Sequence, residues 1–200
     1  MINFYKIDNI EFMKQKPDNY YDLAVVDPEF GIGIGNSPRL VTDKGLKAKE
    51  WDNKPVDMNY FTELFRVSKQ QIIWGGNYYP LPANKHCIIW DKMQPEGMSF
   101  GMFDYAWTSF DGANKMFRYS VQKEQNKRHP TQKPVQLYRW ILQRYAEKGF
   151  KILDTHGGSM TNAIACDMEG YDLDVCEIDT EYFDNGKKAF EIHKSQTVLF

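Results

Sequence analysis

The stretch 21–30, YDLAVVDPEF, places side chains that can bind a ligand directly after an apolar run. Leu23 to Val26 is short, apolar and rich in β-branched residues, which is typical of a buried strand. Pro28 cannot donate to a sheet ladder and its φ is fixed, so the strand ends there and the backbone turns. Asp27, this turn and the Phe30 ring can together bind a flat, hydrogen-bonding ligand such as a nucleobase. The simpler alternative, which these residues alone favour, is an Asp-Pro turn that closes a core strand.

A second group of polar and small residues, DTHGGS (154–159), follows the apolar run Phe150 to Leu153. Small residues after a strand let the backbone approach a ligand, and the next helix offers free N–H groups. Glu177 follows the next apolar run, close to the spacing at which an acid meets a ribose diol in nucleotide-binding α/β folds. The pattern predicts an adenosine-containing ligand, with tight turn packing as the alternative. The dinucleotide pattern GxGxxG and the P-loop pattern GxxxxGK[ST] are both absent from the sequence.

The elements around these residues predict one open α/β sheet. Residues 150–193 alternate strand, helix, strand and helix, which implies parallel strands and right-handed crossovers. Further strands are expected near 2–7, 71–74, 86–90 and 103–110, and helices near 56–67 and 134–148. In such a sheet the carboxyl ends of the parallel strands face one crevice, so Asp27 and Asp154 are expected to share a site. A base pocket beside an adenosine pocket suggests group transfer to a base.

Length and composition predict a single domain over residues 1–194 with a tail over 195–200. The net charge of -2 confines any nucleic-acid binding to local patches. Three cysteines without metal-ligand spacing indicate reduced thiols in a cytoplasmic protein and no metal site. No apolar run approaches the length that spans a membrane, and no signal peptide is predicted. Residues 31–54 carry glycines and basic residues with little apolar periodicity, which predicts a mobile loop.

Three motifs carry a resemblance to a known family. DPEF (27–30), HPTQKP (129–134) and DTHGGSM (154–160) resemble, in this order, the β-class S-adenosylmethionine-dependent DNA amino-methyltransferases. That family reads DPPY or DPPF, then HPTQKP, then a glycine-rich cofactor loop. WGGNYYP (74–80) and WDK (90–92) further resemble small phage and prophage members. The resemblance spans nearly the whole chain. It implies a Rossmann-like methyltransferase fold, an open mostly parallel sheet with helices on both faces, and a small inserted target-recognition region near 91–128.

The resemblance also implies roles for individual residues. Asp27 would accept a hydrogen bond from the amino group of the target base, and the Pro28 carbonyl would accept a second. Phe30 would stack on a base flipped out of the duplex. Two acceptors localise the lone pair of the amino nitrogen and aim it at the methyl sulfonium. The implied cofactor-binding residues are His129, Thr131, Lys133, Asp154, Thr155, His156, Gly157, Gly158, Ser159 and Glu177.

Three positions depart from the family motifs. Glu29 stands at the second proline and adds a carboxylate beside the base pocket. His156 stands at the usual phenylalanine and can still stack on an adenine. Met160 stands where a second glycine is common, which predicts that the backbone there need not adopt a positive φ. Glu29 and Met160 keep open a catalytically silent adaptor that binds cofactor and DNA or a clamp, and an RNA substrate stays a third alternative.

Fewer residues indicate the target base and the binding partners. By the resemblance, Asp rather than Ser at the head of the first motif implies adenine N6 rather than cytosine N4. The residues expected to contact DNA phosphates, with a solvated surface as the alternative, are Arg39, Lys44, Lys47, Lys49, Arg118, Lys123 and Arg128. The small recognition surface suggests a monomer or homodimer that reads a short site. Gln196–Phe200 resembles the QxxLF peptides that dock on the bacterial sliding clamp, although packing on its own domain is the preferred alternative.

Overall fold

A computed structural model describes residues 1–36, 52–97, 101–123 and 131–197. Eight strands lie in the described chain: β1 Ile2–Tyr5, β2 Tyr21–Val26, β3 Ser68–Trp74, β4 Cys87–Asp91, β5 Phe103–Thr108, β6 Lys115–Arg118, β7 Lys151–Asp154 and β8 Asp172–Cys176. Five helices accompany them: α1 Asn9–Lys14, α2 Met58–Val67, α3 Val135–Tyr145, α4 Thr161–Glu169 and α5 Thr180–Thr197.

All eight strands form one sheet in the order β1-β8-β7-β2-β3-β5-β4-β6. Strand β5 is antiparallel to both of its neighbours, and every other pair is parallel. The chain passes from β2 through α2 to β3 on one side, and from β7 through α4 to β8 on the other. Neighbouring strands β7 and β2 therefore mark the topological switch point, where open α/β sheets bind their ligands. The prediction of a mostly parallel α/β sheet is confirmed.

Alternating side chains of β2 enter two separate core layers. Leu23 and Val25 pack with α3 and α4 on one face of the sheet. Ala24 and Val26 pack with α1 and α2 on the other face. A strand buried on both faces reads as a continuous apolar run, which is what its sequence shows. This double burial fixes β2 and leaves Asp27 at the edge of the sheet.

Two strands lie inside the range predicted as the target-recognition region. Strand β5 separates β3 from β4, and β6 forms an outer edge of the sheet. The residues of β6 carry no strand signal because their side chains are largely exposed, so only the ladder to β4 defines it. The recognition role of this range stays a prediction.

The last helix runs to Thr197, four residues beyond its predicted end. Gln196 and Thr197 of the clamp-like peptide are therefore helical, and residues 198–200 lie outside the described chain.

In the described part of the chain, no helix combines the length and apolar character needed to cross a membrane. Within those residues there is also no group of three or more His, Cys, Asp or Glu side chains that could hold a metal ion.

Candidate active site

A cavity of about 360 Å³ opens at the carboxyl edge of the sheet, around the switch point. Its walls come from the turn after β2, the loop after β7, the ends of β1 and β8, and the segment before α3. The predicted site residues that line it are Asp27, Pro28, Glu29, Phe30, Thr131, Lys133, Thr155, His156, Gly157, Gly158, Ser159 and Glu177. The structure thus brings the predicted base pocket and adenosine pocket into one cavity.

Asp27 has one paired and one unpaired carboxylate oxygen. Its Oδ2 accepts from Lys133 Nζ at 2.5 Å, and the lysine side chain is 2% exposed. Its Oδ1 is buried and has no hydrogen-bond partner among the described residues. Burial raises the pKa of Asp27, and the Lys133 ammonium acts against that rise. Asp27 therefore holds one unused acceptor beside a buried cation.

The Lys133 ammonium also lies over two aromatic rings. Its Nζ is 5.1 Å from the centre of the Trp74 ring and 5.9 Å from that of Phe30. Both distances are within the range of a cation–π interaction. The ammonium is therefore held by Asp27 and by the rings of β3 and the DPEF turn.

Tyr79 fixes the backbone carbonyls of the DPEF turn. Its hydroxyl lies 3.1 Å from the Pro28 carbonyl oxygen and 2.9 Å from that of Glu29. Burial raises the pKa of Tyr79, so the phenol stays neutral and donates. A carbonyl oxygen has two lone pairs, which leaves the Pro28 carbonyl able to accept a second hydrogen bond.

Asp52 ties down the backbone that follows the turn. Its carboxylate accepts from the N–H groups of Phe30, Gly31 and Ile34 at 2.8, 2.9 and 2.9 Å. The side chain is buried. Gly31 and Ile34 of the predicted mobile loop are therefore anchored, whereas residues 37–51 lie outside the described chain.

The Phe30 ring packs between Tyr78 and Gly75. The Tyr78 ring is nearly parallel to it, with centres 5.0 Å apart and an angle of 14° between the planes. A Cβ atom added to Gly75 would lie 2.2 Å from a ring carbon of Phe30. Glycine at position 75 therefore makes room for the ring, and one face of the ring is already covered by Tyr78.

Gly75→Ala is expected to displace Phe30 and to raise KM for the substrate that stacks on it roughly ten- to a hundredfold, because small misplacements at a site have large effects. Affinity for the cofactor should not change. Gly149→Ala is the matched control, since Gly149 also has a positive φ of +91 but no atom within 4 Å of an added Cβ. If the two variants raised KM equally in steady-state assays, the rise would be due to backbone strain and not to displacement of Phe30.

The glycine-rich loop after β7 lines the cavity with Gly157 and Gly158. The Gly157 N–H donates to the Cys176 carbonyl at 2.8 Å. A Cβ atom at Gly157 would lie 2.6 Å from the Met160 sulfur and 2.7 Å from a Val175 methyl group. Packing therefore requires glycine at this position.

Met160 adopts a left-handed backbone with φ +58 directly before α4, so the prediction that it need not adopt a positive φ was wrong. Its side chain is fully buried, against Gly157 and Gly186. Burying a methionine side chain stabilises by roughly 1.5–3 kcal/mol. A left-handed residue costs about 1–2 kcal/mol. Packing therefore outweighs the local preference.

Asp154 forms hydrogen bonds within the glycine-rich loop and is not among the residues that line the cavity. Its Oδ1 accepts from the His156 N–H at 3.0 Å, and its Oδ2 accepts from the Asn162 amide at 2.9 Å. Burial raises the pKa of Asp154 to about 6, against the effect of these donors. In this structure Asp154 therefore holds the loop, and its contact with the cofactor stays a prediction.

Glu177 joins the ends of β7 and β8. Its carboxylate accepts from the N–H groups of Gly158 and Asp179, each at 2.8 Å. Burial raises the pKa of Glu177, and these two N–H donors oppose the rise. Each oxygen keeps acceptor capacity on the cavity side, which suits a ligand with adjacent hydroxyl groups.

Carboxylates dominate the charge of the cavity. Two basic groups, Lys133 and His156, line it among the described residues. Against them stand the carboxylates of Asp8, Asp27, Glu29, Asp52, Asp57, Glu177 and Asp179. This balance favours a cationic ligand over a polyphosphate.

The predicted DNA-contacting residues that the structure describes lie away from the cavity. Arg118 ends β6 and pairs with Asp91 at 3.2 Å, and its side chain is 70% exposed. Lys123 lies over the Tyr119 ring. Four strand spacings separate β6 from β2, about 19 Å along the same edge of the sheet. The other predicted DNA-contacting residues lie outside the described chain: Arg39, Lys44, Lys47, Lys49 and Arg128. His129, which was predicted to bind the cofactor, also lies outside it.

Several cavity residues were missed from the sequence. Asp8 and Asn9 follow β1, which pairs with β8 across nearly the whole length of the chain. Tyr60 comes from α2, and Asp52 from the predicted loop. An acid and an amide after a strand were a usable signal at 8 and 9, whereas nothing local marks Tyr60 or Asp52.

Comparison with known proteins agrees with this architecture. A family model described as DNA methylase, N6_N4_Mtase, matches residues 46–188. The type II methyltransferase M2.MboI of Moraxella bovis is 25% identical, over 98% of this chain and 89% of its own length.

Solved structures share the fold. M1.HpyAVI in complex with SAM has a TM-score of 0.62 at 21% identity, covering 94% of this chain and all of that chain. A putative DNA modification methylase from Thermus thermophilus has a TM-score of 0.62 at 16% identity, covering 96% and 95%. PvuII DNA methyltransferase, cytosine-N4-specific, has a TM-score of 0.64 at 13% identity, covering 94% and 85%.

The family resemblance of the three motifs is therefore confirmed, and the predicted cofactor, S-adenosylmethionine, is the one that this family uses. With a Rossmann-like sheet, one cavity at its switch point and a family match over residues 46–188, this chain belongs to the N6/N4 DNA methylase family.

Proposed function

We propose that the chain transfers a methyl group from S-adenosylmethionine to the exocyclic amino group of a DNA base, with adenine N6 as the target. The observation that carries this proposal is the unpaired Oδ1 of Asp27, beside the Pro28 carbonyl in the same cavity as the glycine-rich loop. An amino group has two N–H donors, and this turn offers two acceptors. The choice of adenine rests on the resemblance of DPEF.

The acidic lining supports a cationic cofactor. When bound, the cofactor supplies an electrophilic methyl group on a positively charged sulfur. The carboxylates around the cavity favour that charge. Glu177 is the acceptor for the ribose hydroxyls, and the glycine loop lets the backbone approach the adenosine.

The residues of the turn prepare the amino group for attack. Asp27 and the Pro28 carbonyl accept hydrogen bonds from its two N–H groups, and these hydrogen bonds localise the nitrogen lone pair. Lys133 favours the ionised form of Asp27 against the effect of burial, and Tyr79 holds the orientation of the carbonyl. A strong base is not needed before the carbon–nitrogen bond forms, because the methyl group is already activated. Bond formation would break the methyl–sulfur bond and release a neutral thioether, and the methylated nitrogen would then lose one proton, which Asp27 can accept.

The target base has to leave the DNA duplex before its amino group can reach Asp27. A base that stacks on Phe30 has to replace Tyr78, whose side chain is 46% exposed and so has room to move. Arg118, at the end of β6, lies on the same edge of the sheet, about 19 Å away from β2. Arg118 and Lys123 are the described residues that we assign to flanking phosphates. Phosphate contacts of this kind position the duplex without specifying sequence.

Glu177→Gln is expected to weaken S-adenosylmethionine binding roughly ten- to a hundredfold, because an ionised acceptor forms stronger hydrogen bonds than an amide. Isothermal titration calorimetry measures the change. Glu169→Gln, at the end of α4 and away from the cavity, should leave the affinity unchanged. An unaltered affinity in Glu177→Gln would remove this residue from the cofactor site.

The proposed function is tested by incubating unmethylated genomic DNA with labelled S-adenosylmethionine and hydrolysing the product to bases. N6-methyladenine is the expected product. N4-methylcytosine would keep the reaction and overturn the choice of base. Cofactor binding without label in DNA would favour the silent adaptor or an RNA substrate.

A further inference from the structure

Two of the three departures from the family motifs contact each other. Glu29 Oε2 lies 3.2 Å from His156 Nε2, and the side chains are 27% and 12% exposed. Glu29 belongs to the turn that carries Asp27, and His156 belongs to the glycine-rich loop. The pair therefore joins the base side of the cavity to its cofactor side.

The His156 ring has a different partner in each protonation state. A protonated ring donates from Nε2 to Glu29 and from Nδ1 to the Thr155 hydroxyl at 2.8 Å. A neutral ring with its hydrogen on Nδ1 can instead accept at Nε2 from the Asn9 amide, 2.9 Å away. The Thr155 hydroxyl is in turn 2.6 Å from the buried Tyr60 hydroxyl, which anchors the arrangement to α2.

The charges around the pair favour its ionised form. Burial lowers the pKa of His156, but the carboxylates of Glu29, Asp154 and Glu177 outweigh burial and raise it. Burial raises the pKa of Glu29, but His156 outweighs burial and lowers it. From α1 and α2 the ring contacts the neutral side chains of Asn9 and Tyr60. The ion pair is therefore present at pH values between the lowered pKa of Glu29 and the raised pKa of His156. It is lost as the pH rises through the pKa of His156.

We propose that Glu29 and His156 are positioning residues whose ion pair sets the base-binding turn against the cofactor loop. A proline at position 29 would stiffen the turn by fixing φ. Here the cross-link replaces that stiffness and couples the two halves of the cavity. This inference rests on the proposed function for the identity of the two ligands. It predicts that a change in the base-side turn alters cofactor affinity.

The test is a double-mutant cycle with Glu29→Gln, His156→Phe and the combination of both. Cofactor affinity is measured by calorimetry, and methyl transfer in single turnovers, each from pH 5 to 9. We expect Glu29→Gln to weaken cofactor binding about three- to tenfold, and the double variant to bind no more weakly than His156→Phe. The fall in wild-type affinity at high pH should disappear in both single variants. Glu29→Pro combined with His156→Phe should recover transfer that either change alone loses.

Asp167→Asn is the matched control, because the Asp167 carboxylate makes a similar contact with His193 Nε2, at 3.1 Å, between α4 and α5. It should leave cofactor affinity and its pH dependence unchanged. Additive effects of Glu29→Gln and His156→Phe would overturn the proposal, as would an unchanged pH dependence. If the two changes had non-additive effects on cofactor affinity but no DNA were methylated, the role of the ion pair would be supported and the proposed substrate rejected. If DNA were methylated normally but the effects were additive, the proposed substrate would be supported and the role of the ion pair rejected.

Discussion

Asp27→Asn is expected to lower the rate of methyl transfer roughly a hundred- to a thousandfold while cofactor affinity stays near the wild-type value. The amide replaces an anionic acceptor by a neutral group, and its NH₂ would point at the amino group or at Lys133. In the proposed function, Asp27 binds the base, whereas the glycine loop and Glu177 bind the cofactor. Single-turnover transfer and calorimetry separate the two effects.

Stability has to be controlled in this experiment. Losing the Asp27 charge leaves the Lys133 ammonium buried without its partner, which costs about 3–5 kcal/mol. Asp27→Asn combined with Lys133→Met removes both charges and should recover much of the stability without recovering transfer. If Asp27→Asn lost cofactor affinity as strongly as activity, the assignment of Asp27 to the base would be wrong.

Lys133→Met is expected to move the acidic limb of the pH–rate profile to higher pH and to reduce transfer near neutrality. Burial already raises the pKa of Asp27, and Lys133 opposes that rise, so removing the ammonium raises the pKa further. Ionised Asp27 is the stronger acceptor for the amino hydrogen, so activity should recover as the pH increases. Rates measured from pH 5 to 10 check this shift.

Lys92→Met is the matched control for that variant. Lys92 pairs with Asp104 at 2.6 Å and lies 5.4 Å from the centre of the Trp90 ring, so its surroundings resemble those of Lys133. It does not line the cavity. Its loss should shift the acidic limb much less, and equal shifts in both variants would contradict a specific role for Lys133.

The same pKa predicts how stability depends on pH. Because folding raises the pKa of Asp27, the folded chain holds a proton at a pH where the unfolded chain has released it. The contribution of Asp27 to stability is therefore greatest below its ordinary value of 3.8 and falls as the pH rises through the raised pKa. In Lys133→Met this fall should extend to higher pH, which urea unfolding at several pH values measures.

The sequence by itself determined the fold class and most of the cavity. The apolar run of β2 ends at Asp27 and that of β7 ends at Asp154, and parallel strands bring such ends to one edge. Local signals of this kind depend on neighbouring residues and on a general rule of sheet geometry. They were enough to predict that the DPEF turn and the glycine loop face each other.

Only the tertiary structure decided how these residues are used. Asp154 turned out to hold the loop, Met160 took a left-handed backbone, and Glu29 met His156 across the cavity. Each outcome depends on atoms that are distant in sequence: the burial of a side chain, a partner at hydrogen-bond distance, or a charge on another strand. Burial and long-range pairing set the pKa values and outweigh local backbone preferences, and neither can be read from a residue and its neighbours in the chain.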